Sequence, residues 1–93
     1  MIEFTDWARE IIGKAHSAAR RLNPQAQIRL ARAGSGVQAV LVEQPEPDDQ
    51  RVAVGDVEIY VESGVEGLID IEEPHDRIVL KPAGSPHNVR LPH

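Results

Sequence analysis

The clearest alternation of apolar and polar residues in the chain lies between residues 28 and 42. On either side of a turn, Gly34-Ser35-Gly36, four apolar residues stand in the period-two positions of strands with one buried face. Glycine adopts the positive φ angles of a tight turn at little steric cost, so this stretch predicts a β-hairpin or a sharp strand-to-strand crossover. The four apolar residues are Ile28, Leu30, Val40 and Val42.

The first part of the chain has a different period. Residues 2–4 alternate and predict a short strand, and Thr5 or Asp6 then provides an N-cap for a helix. Asn23-Pro24 ends this helix, because a residue before proline is disfavoured in the α conformation. Residues at helical spacing form one apolar stripe that we expect to face a sheet. They are Ala8, Ile11, Ile12, Ala15, Ala18, Ala19 and Leu22.

The second half predicts further short strands separated by turns. An acidic loop with two prolines covers residues 44–50. One turn of helix is predicted at 65–68, and a turn that connects two strands is predicted at 73–76. The strands are predicted at 51–54, 57–62, 69–72 and 77–81. We therefore expect a mainly β fold with an N-terminal helix, in the α+β class, built as a small β-sandwich or partly closed barrel. Residues 1–82 are expected to form a single domain, and residues 83–93 a flexible tail.

Composition is that of an ordinary globular domain. The chain has 93 residues, of which 41% are hydrophobic and 27% charged. With one Phe, one Trp and one Tyr, its core is expected to be aliphatic. It has no apolar run of membrane-spanning length and no signal-peptide pattern, so a cytoplasmic location and no membrane partner are expected.

Charge is unevenly distributed along the chain. The net charge is −5, yet most basic residues precede residue 33 and acids dominate residues 43–76. Nucleic acid is disfavoured as a partner, because the basic residues are few and the acidic half would repel phosphate. A surface whose charges share one sign can instead dock a protein. An ordinary solvated surface explains the same charge distribution.

Several segments, in order, resemble the A-type iron–sulfur carrier family, also called HesB-like or IscA-like. Residues 2–8 resemble the family's opening strand, capping threonine and first helix, and residues 28–36 resemble its strand leading into a Cys-Ser-Gly turn. Further similarity lies at 42–49, 55–62, 68–70 and 80–82. The resemblance implies a HesB-like helix-flanked β-sandwich or pseudobarrel.

The family binds its cluster with three cysteines, one in the glycine-rich turn and two in a C-terminal Cys-Gly-Cys. This chain has no cysteine, and Gly34, Ser35 and Gly36 occupy the equivalent turn. Neither glycine nor a serine hydroxyl replaces a thiolate, so iron–sulfur cluster binding by the family's mode is excluded and no cofactor is expected. The resemblance then implies a protein-interaction or accessory role linked to iron–sulfur metabolism. Iron–sulfur assembly components or a second copy in a homodimer are the partners it suggests.

Two other kinds of chemistry have candidate residues in the chain. His75, His87 and His93, with nearby carboxylates, form an alternative metal- or small-ligand-binding set, because imidazole and carboxylate are common ligands of divalent metals. Ser35 lies between glycines but lacks the Gly-x-Ser-x-Gly elbow and a following helix. Adjacent acids such as Asp48-Asp49 diverge in an extended chain, so the sequence favours a protein that is not an enzyme.

Overall fold

The computed structural model describes residues 2–73 and 77–84. Within these stretches the chain forms one helix and seven strands in two small sheets, which confirms the mainly β, α+β fold class. Parts of the predicted turn (74–76) and tail (85–93) lie outside the described residues. The elements are β1 Ile2–Phe4, α1 Asp6–Leu22, β2 Gln27–Ala33, β3 Gly36–Val42, β4 Gln50–Val54, β5 Val57–Val61, β6 Gly67–Glu72 and β7 Arg77–Lys81.

Helix α1 begins and ends where local chemistry predicts. The Thr5 hydroxyl oxygen accepts a hydrogen bond of 3.1 Å from the amide of Ala8, which satisfies one of the unpaired donors of the first turn. At the other end, the amide of Asn23 donates to the carbonyl oxygen of Ala19. The predicted cap and the predicted stop are both confirmed.

The buried face of α1 is narrower than the predicted apolar stripe. Trp7, Ala8, Ile12 and Ala19 are buried, but Ala15, Ala18 and Leu22 are exposed. The prediction was therefore wrong for these last three residues. Helical spacing determines which residues share a face, but it does not determine how far the sheets beneath the helix extend.

The two sheets combine parallel and antiparallel pairs. One has the order β1-β6-β7 and the other β3-β2-β5-β4, with β1–β6 and β2–β5 parallel. Strand β3 also contacts β7, so an edge strand of one sheet meets an edge strand of the other. The predicted turn of helix at 65–68 was wrong, because β6 begins at Gly67 and pairs with β1 from that residue.

The hairpin of β2 and β3 is confirmed, but one of its predicted faces is not. The two-residue turn pairs Ala33 with Gly36, and this register sets Ile28 opposite Leu41. Directly paired residues point to the same side of a sheet, so Leu41 shares the inner face of the buried Ile28. Val40 and Val42, predicted to share the buried face of Ile28 and Leu30, lie on the outer face instead.

The core is aliphatic, as predicted, with Phe4 and Trp7 its only aromatic residues among those described. Strands from both sheets contribute fully buried side chains, including Leu30, Ile59 and Ile69. In residues 2–73 and 77–84, no helix is long and apolar enough to cross a membrane.

An ion pair attaches the acidic loop to the outer face of β2. Arg29 donates two hydrogen bonds to Asp49, from Nε at 2.8 Å and from Nη2 at 3.0 Å. The Asp49 side chain is 2% exposed and also accepts a hydrogen bond from the amide of Glu46. The hydrogen bond from Arg29 is the main cause that holds the pKa of Asp49 below its usual range.

We expect Asp49 to make stability depend on pH in the acid range. Because its folded pKa lies below the unfolded value of about 3.9, its contribution is complete above that pH and is lost as pH falls through the folded pKa. Asp49→Asn should lower the free energy of unfolding by about 1–3 kcal/mol at neutral pH and flatten its decline in acid. Urea unfolding at a series of pH values measures both effects. Asp48→Asn, at an exposed neighbouring acid, is the control, and equal pH profiles for the two variants would contradict this role.

Candidate functional site

The turn predicted to replace the family's cysteine-bearing turn lines a small cleft. The cleft has a volume of about 230 Å³ and lies between the β2–β3 turn, the segment 64–66 and the end of β7. The structure thus brings Gly34, Ser35 and Gly36 beside the strand that precedes the tail. The lining residues are Arg32, Gly34, Ser35, Gly36, Gly64, Val65, Glu66 and Leu80.

Within residues 2–73 and 77–84, the side chains that line this cleft offer polar contacts. Nε of Arg32 lies 3.7 Å from Oε2 of Glu62, and its guanidinium lies against Gly64. Among the described lining residues there is no histidine to act as a base for Ser35. Gly34 has a φ of 59°, as the first residue of a two-residue hairpin turn requires. Ser35 is therefore explained by the turn.

The three histidines predicted as metal ligands, His75, His87 and His93, lie outside the described residues. In the described part of the chain, no group of three or more His, Asp or Glu residues is placed to hold a metal. Glu72, one of the acids near His75 in the sequence, instead accepts a hydrogen bond of 2.7 Å from Arg77. The metal hypothesis therefore stays a prediction, because its three histidines lie outside the described residues.

Asp70 is a buried carboxylate that sequence reasoning missed. It is 0% exposed, and its Oδ1 accepts hydrogen bonds from the Thr5 hydroxyl at 3.0 Å and the Ile71 amide at 2.8 Å. Its Oδ2 accepts from Nζ of Lys81 at 2.9 Å. These bonds join the start of α1, β6 and the end of β7. Since solvent does not reach Asp70, we assign it a structural role.

A second groove exposes two leucines at the far end of α1. Leu22 is 90% exposed and Leu41 is 62% exposed, and they are the exposed large hydrophobic residues of the described chain. Both line a groove of about 300 Å³ between the end of α1 and the end of β3. We call this the Leu22–Leu41 groove. Its other lining residues are Ala19, Asn23, Ala26, Val42 and Glu43.

The sheet register explains why Leu41 is unusual. Leu41 is paired with Ile28, which is 2% exposed, so Leu41 occupies the core-facing side of the sheet. Helix α1 packs on β2, β4 and β6. Leu41 remains 62% exposed, so no element in residues 2–73 or 77–84 covers it as fully as Ile28 is covered. A core-facing position without a cover is apolar surface available for contact.

Two polar residues, Asn23 and Glu43, line the groove, and two arginines lie close by in the sequence. Nδ2 of Asn23 donates a 3.0 Å hydrogen bond to Oε2 of Glu43, which connects the end of α1 to the residue after β3. Arg20 is held by its hydrogen bonds to the Ala26 carbonyl at 2.7 Å and to Gln27 at 3.2 Å. Arg21, next to Leu22, is exposed. The groove therefore has an apolar floor and a polar rim, as protein contact surfaces do.

Sequence reasoning missed this groove because it placed Leu22 in the core stripe and gave Leu41 no role. The only available signal was that α1 ends on a leucine beside two arginines, and that signal is weak. Of the three places described, the Leu22–Leu41 groove is the one that leaves large apolar side chains uncovered. No protein-family model, curated protein or solved structure matches this chain.

Proposed function

We propose that this chain is a non-enzymatic protein-interaction domain that binds its partner through the Leu22–Leu41 groove. The observation that supports this most is the exposure of two leucines that line the same groove, one of them at a core-facing position of the sheet. Isolated exposed leucines are common on protein surfaces, but two lining the same groove are the kind of feature that marks an interaction site.

The groove selects a partner of a particular kind. Fully burying a leucine side chain contributes about 1.5–3 kcal/mol, so covering both residues supplies an anchor but not a complete interface. The occupant is a protein segment that inserts one large apolar side chain between Leu22 and Leu41. Around it, Asn23 and Glu43 offer hydrogen-bonding and charged groups to the partner.

We further propose that the partner belongs to iron–sulfur metabolism, where this chain has an accessory role on a HesB-like scaffold. Two things support this link: the ordered resemblance across residues 2–82, and the cleft in which Gly34-Ser35-Gly36 lies beside the end of β7. Without cysteines, a scaffold of this kind acts on proteins rather than by holding the cluster in the family's mode.

The experiment places a photo-reactive amino acid at Leu22 or Leu41 of the full chain, in cells that produce it naturally. Ala53, an exposed residue of β4, is the matched control position. A protein captured from both leucine positions and not from Ala53 is identified by mass spectrometry, purified and titrated against the full chain. Its identity also tests the iron–sulfur link: an unrelated protein would remove that link and leave the interaction domain in place.

Serine substitutions then test the groove itself. Leu22→Ser should change stability by less than about 0.5 kcal/mol because Leu22 is exposed, yet weaken binding of the captured protein roughly 10-fold. Leu41→Ser should weaken binding by a similar factor, while Ala53→Ser should leave it unchanged. Equal affinities for all variants would contradict the proposal. Cross-links only to residues 85–93 of the same chain would also contradict it, because the occupant would then be internal.

A further inference from the structure

Helix α1 is a basic element in an acidic protein. It contains four basic residues and two acidic ones, whereas the whole chain has a net charge of −5. Its outer face forms a shallow groove of about 510 Å³. This basic face borders the Leu22–Leu41 groove, because Ala18 on the one and Leu22 on the other are four residues apart and therefore neighbours on the helix surface. Its lining residues are Arg9, Glu10, Gly13, Lys14, Ser17, Ala18 and Arg21.

The cations of this face are weakly engaged within the chain. Arg9 lies 3.9 Å from Asp6, and Lys14 lies 3.3 Å from Glu10, both in exposed pairs one turn apart. Such pairs contribute only about 0.3–0.5 kcal/mol, so a carboxylate from another protein can replace them at little cost. Arg21 makes no ion pair or hydrogen bond with any residue in 2–73 or 77–84.

We propose that the partner docks with an acidic amphipathic helix laid along α1, with its apolar anchor in the Leu22–Leu41 groove. This inference rests on the proposed function and specifies the chemistry of the partner. Charge complementarity argues for it, because the basic face attracts carboxylates while the acidic remainder of the chain repels them. An acidic segment is thereby confined to α1.

The spacing of the cations specifies the acids of the partner. Lys14 and Arg21 are seven residues apart and lie on the same side of α1, separated by roughly 10 Å along its axis. An acidic helix matches them with two carboxylates seven residues apart. Arg9 flanks the opposite side of the groove. Gly13 also lines the groove, and a Cβ atom added to it would meet nothing within 4 Å, so the space above Gly13 is open. A helix can therefore pack into this groove.

The probes are synthetic helical peptides of about 18 residues, roughly 27 Å long. The first has one leucine near an end and glutamates at seven-residue spacing on one face. The second has lysines in place of the glutamates, and the third has serine in place of the leucine. We expect the glutamate peptide to bind the full chain at least about 10-fold more tightly than the lysine peptide, with an affinity that falls as salt rises.

Charge-reversal variants locate the contact. Lys14→Glu and Arg21→Glu should each weaken binding of the glutamate peptide about 10-fold, chiefly through slower association. Arg51→Glu is the matched control, because it makes the same change in net charge at an exposed arginine of β4 paired with Glu58 at 3.4 Å. It should change the affinity by less than about 2-fold.

The outcomes separate this inference from the proposed function. Equal binding of the glutamate and lysine peptides, absence of binding by the glutamate peptide, or equal effects of the three charge reversals would overturn the acidic helix. If the captured protein still lost affinity with Leu22→Ser, the groove would stand without it. The groove would fail as the anchor site if two results were found together. The glutamate peptide would bind Leu22→Ser as tightly as it binds the wild type, and the serine peptide would bind the wild type as tightly as the glutamate peptide does.

Discussion

Replacing Asp70 with alanine is expected to lower the free energy of unfolding by about 3 kcal/mol, because three hydrogen bonds lose a fully buried acceptor, one of them from a partly buried ammonium. Asp70 is fully buried and accepts hydrogen bonds from the Thr5 hydroxyl, the Ile71 amide and the Lys81 ammonium. Alanine removes the acceptor of these three hydrogen bonds and leaves a cavity in its place. Because the bonds join α1, β6 and β7, the loss should affect the cooperative unfolding of the whole domain, measured by urea denaturation.

Glu72→Ala is the matched control for Asp70. Glu72 lies two residues further along β6 and also pairs with β7, through a 2.7 Å contact with Arg77, but both side chains are exposed. Its removal should cost less than about 1 kcal/mol. Equal losses for the two alanine variants would show that the buried network adds nothing beyond an ordinary surface pair.

Replacing Gly67 with alanine is the second change expected to have a large effect, about 3 kcal/mol or more. Gly67 begins β6 with a φ of 124°, a conformation that other residues rarely adopt. A Cβ atom there would collide with the backbone carbonyl oxygen of Lys81 and lie 3.3 Å from Cδ1 of Leu80. Relief requires β7 to shift, and Lys81 could not then keep its pairing with Leu68 and its bond to Asp70.

Gly13→Ala is the control for Gly67. Gly13 lies in α1, and a Cβ atom at this position meets nothing within 4 Å. Alanine should therefore stabilise the domain by about 0.5–1 kcal/mol, because it favours the helix. Thermal denaturation of both variants tests the pair of predictions. A Gly67→Ala variant as stable as wild type would show that β6 and β7 do not approach as closely as described.

Local chemistry made much of the fold predictable. The cap at Thr5 and the stop at Asn23-Pro24 depend on groups within one or two turns of each other, so the sequence alone locates both ends of α1. The hairpin was predictable for the same reason. Its faces were not, because the two-residue turn pairs even-numbered with odd-numbered residues and moves Val40 and Val42 to the outer side.

The candidate site depends on which apolar side chains are left uncovered by other elements, and the periodicity of a single element does not encode this. Leu22 belongs to an apolar stripe, and Leu41 belongs to the inner face of a sheet, yet no other layer in the described part of the chain covers either of them well. Asp70 illustrates the opposite case. It alternates with apolar neighbours as an exposed residue of a strand would, but all residues from Gly67 to Ile71 are buried, on both faces of β6.

The measurement that tests the central claim most directly is the affinity of the captured protein for wild type, Leu22→Ser and Ala53→Ser, compared by titration. The interaction domain proposed here predicts a loss of roughly 10-fold for Leu22→Ser and none for Ala53→Ser, with both variants folded as stably as wild type. Equal affinity for all three proteins would contradict binding through the Leu22–Leu41 groove.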